Sequence, residues 1–187
     1  MSLGARNWQP SGDLPQRIGG PSTLSMPDEW TFSTPWRRAQ VEIDQGGPVN
    51  DAERMVRLSD GSGVHRVTWA LRGRSLVAEC DCSGHKYNNG WCAHVASLWW
   101  QWVRGQVVVT HLDTGREYPQ PPAWLRLDDE PDRIDFDHLS PAELDAYLTC
   151  DEAGVGVRRY ARQSGRSPGT VGNLLRRARE KIEEGRR

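Results

Sequence analysis

Three of the four cysteines fall within fifteen residues, as Cys80-Asp81-Cys82 and, after nine further residues, Cys92-Ala93-His94. Two thiols one residue apart, matched by a thiol and an imidazole at the same spacing, make a donor set of three sulfurs and one nitrogen. A tetrahedral structural zinc ion prefers that set, which leaves no position for water or substrate. The expected cofactor is therefore one zinc ion on Cys80, Cys82, Cys92 and His94, a staple with no chemistry of its own. His85 lies in the intervening loop and competes for the nitrogen position. His94 is favoured because it repeats the one-residue spacing and opens an apolar stretch. Disulfides are the rival, but a CxC pair bridges poorly and Cys150 leaves the pairing odd. In a reducing compartment, clustered cysteines more often bind metal.

Positioning these donors requires strands before them and a helix after. Residues 64–71 alternate, with Val67, Trp69 and Leu71 on one face. Arg72-Gly73-Arg74 can turn the chain, and residues 75–79 return it to Cys80. Past His94, residues 95–103 read as a helix, with Val95, Leu98, Trp99 and Trp102 at one-face spacing. A CxC pair, a short loop, then CxH opening a helix resembles the SWIM zinc finger, a ββα module, over about residues 54–104. The resemblance implies that the first pair ends a hairpin strand and the second begins the helix. It also implies a role in DNA binding or in protein interaction.

The chain has 187 residues, of which 36% are hydrophobic, and this fits two small modules better than one large core. Small modules bury little surface and often need a metal staple. Nine tryptophans against two phenylalanines supply bulky core material. The net charge of −1 conceals an asymmetry: residues 127–152 carry ten acidic side chains and one basic, whereas 154–187 carry ten basic and three acidic. Asymmetry of this size marks an interaction surface.

The basic excess coincides with a helix-turn-helix pattern. Residues 157–163 can form a first helix, Ser164-Gly165-Arg166 a turn, and Ser167-Pro168 the start of a second helix running to about Glu184. Val171, Leu174, Leu175, Ala178 and Ile182 form one apolar stripe, while Ala161, Gly165 and Val171 match the small-residue, left-handed and buried-anchor positions of the motif. Ser140-Pro141-Ala142-Glu143 is a capping-box start for a supporting helix, to which Leu144, Tyr147 and Leu148 give an apolar face. Residues 139–182 thus resemble region four of bacterial sigma factors and the helix-turn-helix of response regulators, which implies major-groove binding by the second helix. Arg166 departs from the family, which often has an apolar residue there.

Exposed residues of that second helix, with Ser167 at its cap, are Thr170, Asn173, Arg176 and Arg177. Asn pairs with adenine, Arg with guanine, and a Thr methyl touches thymine. Arg158, Arg159, Arg162 and Arg166 are placed for phosphates. Gly169 and Gly172 on the reading face limit how many bases it can specify.

The expected architecture is α+β: a flexible tail over 1–35, a zinc-stapled ββα module with extra strands over 36–118, a Pro-rich then acidic linker over 119–138, and a three-helix helix-turn-helix domain over 139–187. A strand pair near 107–110 and 117–118 can add an edge to the sheet, and Trp8, Trp30 and Trp36 can pin the tail. No apolar segment suits export or a membrane, which points to the cytoplasm. No phosphate-cradling loop is present, and Cys150 has no base beside it in sequence, so the reading is a binding protein and not an enzyme. Double-stranded DNA is the expected partner. The alternative is an adaptor without a DNA role, docking through Trp99, Trp100 and Trp102 to polymerase or a repair or recombination factor, with Trp100 as the exposed anchor.

Overall fold

A computed structural model describes residues 21–26, 34–59, 63–87, 90–128 and 134–185. The architecture is mixed α and β. Trp8, Trp30 and most of segment 1–35 lie outside the described residues.

Strand β4 (His65–Arg72) and β5 (Ser75–Cys80) form the central hairpin, with Gly73 at φ +55° in the turn. Only glycine holds that angle cheaply. Val67, Trp69 and Leu71 stand opposite Cys80, Ala78 and Leu76. Period-two alternation therefore sets Cys80 on the core-facing row. The reverse face is buried too: Ala70 and Val77 pack with Ala52 and Leu112. Outside the hairpin lie β3 (Glu53–Val56), β2 (Gly47–Pro48) and β1 (Ser22–Thr23), giving the antiparallel order β1-β5-β4-β3-β2. Residues of the expected tail thus supply an edge strand, pairing Ser22 with Ala78, and Leu24 is 1% exposed.

Helix α1 (Thr34–Val41) is followed, after the hairpin, by α2 (Ser83–Tyr87) and α3 (Ala93–Val103). Val95, Leu98 and Trp102 of α3 are buried against the sheet. Trp102 donates its Nε1–H to the Tyr118 carbonyl at 2.8 Å. Helix α1 covers a second face of α3, which buries Ala96 and Ser97 as well. Trp100, expected to be exposed, is half-buried. It stacks on Trp36 at 4.7 Å between centroids, and the Arg104 guanidinium lies 4.6 Å over its ring.

Strands β6 (Val109–Thr110) and β7 (Glu117–Tyr118) form their own two-stranded sheet and touch the larger one through a Leu71–His111 bridge. Between there and the last helices, Trp124 is buried at 4% exposure and Ile134 at 8%. Trp124, Ile134 and Phe136, in a stretch legible in sequence only as a linker, pack against the core.

The last third of the chain is helical. Helix α4 (Pro141–Tyr147) starts with the expected capping box between Ser140 and Glu143. It runs into a π-helical turn (Leu148–Glu152), then α5 (Val157–Ser164) and α6 (Pro168–Gly185). Gly165 caps α5 at φ +68°, and Ser167 Oγ accepts the Thr170 amide at 3.1 Å to start α6. Ala161 and Val171 are buried where the helices meet.

Candidate metal centre and nucleic-acid interface

Cys80 ends β5, Cys82 follows two residues on, Cys92 is the N-cap of α3 and His94 lies in its first turn. The hairpin and helix converge on one point, so their donor atoms lie within 4.8 Å of one another. His94 Nδ1 is 3.8 Å from Cys80 Sγ and 3.9 Å from Cys92 Sγ. Donors on a tetrahedral zinc at about 2.3 Å for sulfur and about 2.0 Å for nitrogen would lie about 3.6–3.8 Å apart. These four residues could hold one metal ion. The three cysteines are buried, and His94 is half-buried at the edge of a cleft of about 410 Å³ lined also by Thr34, His65 and Ser83.

Electrostatics in the cluster favour a thiolate at Cys92. A hydrogen bond from the Cys80 thiol holds its pKa well below the usual thiol value against the cost of burial, with His85, His94 and the Val95 amide assisting. Cys80 is raised by the same hydrogen bond, and burial raises Cys82. A helix N-terminus and adjacent imidazoles are the usual makers of a ligating thiolate.

His85 is not one of the four clustered donors. It lies on α2 beside Cys92; a hydrogen bond with that thiolate lifts the imidazole pKa, and the ring's Nδ1 is buried with no hydrogen-bond partner among the described residues. A pair not singled out in the sequence flanks the cluster. His65 Nδ1 is 2.6 Å from Asp81 Oδ1, and the His65 ring lies 4.3 Å from the His94 ring. Asp81 lies inside the CxC spacing; no short-range pattern marks His65.

On the helical side, Arg158, Arg159 and Arg162 are exposed and make no ion pair among the described residues. Arg166 is half-buried and donates to the Tyr160 hydroxyl at 3.1 Å. Ser167, Thr170 and Asn173 are exposed at the start of α6, with Ser167 Oγ and Thr170 Oγ1 2.9 Å apart. Arg176 pairs with Glu180 at 2.9 Å, and Arg177 lies 3.8 Å from Glu143. Arg179, which the sequence offers no reason to separate from them, makes a two-bond pair with Asp151.

No protein-family model, curated protein or solved structure matches this chain. No helix among the described residues is long and apolar enough to cross a membrane. Cys150 is half-buried, and burial raises its thiol pKa, which disfavours the nucleophilic form.

Proposed function

We propose that this chain is a cytoplasmic, non-catalytic DNA-binding protein, a transcription regulator whose sheet is stapled by one structural zinc ion of the SWIM type. Duplex DNA would be bound by α5 and α6 as a helix-turn-helix. The observation that carries the reading is the set Arg158, Arg159 and Arg162. They are three exposed cations without acidic partners among the described residues, on the helix that precedes a glycine-turned, serine-capped second helix. In this reading they meet phosphates, with Arg166 at the turn, while Ser167, Thr170, Asn173, Arg176 and Arg177 face the major groove.

Zinc would be held by Cys80, Cys82, Cys92 and His94, whose sulfur-rich set selects it over harder cations. When bound, it supplies cross-linking and no open coordination site. The adaptor reading drew on an exposed Trp100; that ring is half-buried, packed near Trp36 and with the Arg104 guanidinium over it, which supports DNA over docking through Trp100.

Fluorescence anisotropy of the zinc-loaded full chain with duplex DNA at two salt concentrations tests the function. Salt-sensitive binding is expected. Absent or salt-independent binding would defeat it. One equivalent of zinc by metal analysis is expected alongside, and none would defeat the staple.

A further inference from the structure

Helices α4 to α6 bury two separate apolar surfaces. One is internal, made by Ala146, Tyr160, Ala161, Val171, Leu174 and Leu175. The other consists of Leu144, Leu148, Ala178 and Ile182. It belongs to the same core as Trp69, Leu76 and Leu98 and the cysteines Cys80, Cys82 and Cys92. From Pro141 to Gly185 the helical part spans about 45 residues. Below about 70–80 residues a single core rarely supplies more than a few kcal/mol. Taken off the sheet, this part would keep a six-residue core and expose its second stripe to water.

Polar contacts run in the same direction. Arg116, beside β7, donates to Asp145 Oδ1 at 2.8 Å and to Thr149 Oγ1 at 3.0 Å. Tyr160 donates its hydroxyl to Asp145 Oδ2 at 2.6 Å and accepts from Arg166 Nη1 at 3.1 Å. A chain of charged hydrogen bonds thus joins the β6–β7 hairpin to the turn that aims α6. Such networks fix one arrangement when every member is satisfied.

We propose that the metal-stapled core, through this shared apolar surface and the Arg116–Asp145–Tyr160–Arg166 relay, holds α5 and α6 in place, so that nucleic-acid binding is conditional on metal loading. Only the last clause rests on the DNA reading. The helical part is then no autonomous domain. Stripping the metal loosens the sheet core, and the stripe on α4 and α6 loses the surface that covers it.

The test is hydrogen exchange on the full chain, zinc-loaded and chelator-stripped, with duplex-DNA anisotropy on the same samples. Stripping should speed exchange of amides in 157–182 by about tenfold or more, together with those in 65–103, and weaken DNA binding by a similar factor. If 65–103 loosens while 157–182 keeps its protection, the coupling is overturned whatever DNA does. No loosening anywhere overturns it as well. A loaded chain that fails to bind DNA sinks the DNA reading, and exchange still decides the coupling. Tyr160→Phe keeps the ring in the internal core and removes the hydroxyl between Asp145 and Arg166. It should retain its zinc yet exchange amides 164–170 at least about threefold faster. Unchanged exchange in that variant removes the relay's part.

Discussion

Arg74 and Glu152, 78 positions apart, form an ion pair of 2.8 Å with side chains only 9% and 22% exposed. Arg74 lies in the β4–β5 turn, with its guanidinium 5.7 Å over the Phe136 ring, and Glu152 ends the π-helical turn. The pair clamps the hairpin to the helical part. Arg74→Ala leaves Glu152 largely desolvated without its cation, and truncating one partner of such a pair costs more than the pair contributes. We expect a loss of about 2 kcal/mol in denaturant unfolding, discounted for the remaining exposure of Glu152. A midpoint that does not move would show that the clamp contributes nothing.

His111 makes stability depend on pH. It is fully buried, its Nε2 lies 3.0 Å from the Gly73 carbonyl, and its Nδ1 accepts the Asp113 amide at 3.2 Å. Those two bonds specify the neutral tautomer with hydrogen on Nε2. Burial lowers its pKa below the usual 6.5, although Asp113 opposes the shift. The folded value is depressed, so this contribution is complete above the unfolded pKa and is lost as pH falls from about 6.5 toward the folded value. The slope there is at most about 1.4 kcal/mol per pH unit. Thermal unfolding between pH 7.5 and 5 should show a falling midpoint, and His111→Gln should flatten that fall. An identical pH profile in the variant would remove His111 as its source.

The hairpin, α3 and the donor cluster were readable because their signals are local: alternation over β4, one-face spacing on α3, and mirrored CxC and CxH pairs. The capping box at Ser140 and the turn at Gly165 were readable for the same reason. What escaped depends on distant partners. Strand β1 has two residues and no periodicity, and pairing with Ala78 and Val77 creates it. Helix α1 buries Trp36 and Ala39, too few apolar positions for a pattern. The reverse face of β4 is covered by Leu112 and Ala52, which no window over β4 contains. Asp145 and Arg116 meet across 29 residues, and acidic composition around 128–137 concealed Ile134 and Phe136 as packing residues.

The turn between α5 and α6 is a second place where stability should respond to small changes. Gly165 sits at φ +68° with nothing near its missing Cβ, so Gly165→Ala meets backbone strain alone. That strain costs about 1 kcal/mol, and Asn, which tolerates the left-handed region, should restore part of it. Ser167→Ala removes the acceptor of the Thr170 amide and should cost about 1 kcal/mol. Denaturant midpoints for the three variants test this. Equal stability of Ala and Asn at 165 would mean that the turn relaxes out of the left-handed conformation.

The arginines of α5 and α6 should contribute unequally to the salt dependence of DNA binding. Arg176 and Arg177 already face carboxylates, Glu180 at 2.9 Å and Glu143 at 3.8 Å, and a phosphate must compete with those partners. Arg158, Arg159 and Arg162 face water and its counterions, which a phosphate releases at no cost in broken ion pairs. Each phosphate contact adds about 0.9 to the slope of log affinity against log salt. Replacing the three α5 arginines by Gln should therefore lower that slope by about 2–3. The Arg176→Gln, Arg177→Gln double variant should lower it by less, while weakening discrimination between duplex sequences more, because base edges and not phosphates are its expected targets. The measurement is anisotropy across a salt series with two unrelated duplexes. A slope left intact by the triple variant would place the phosphate contacts elsewhere. A larger loss of slope in the double variant would make α6 the electrostatic surface.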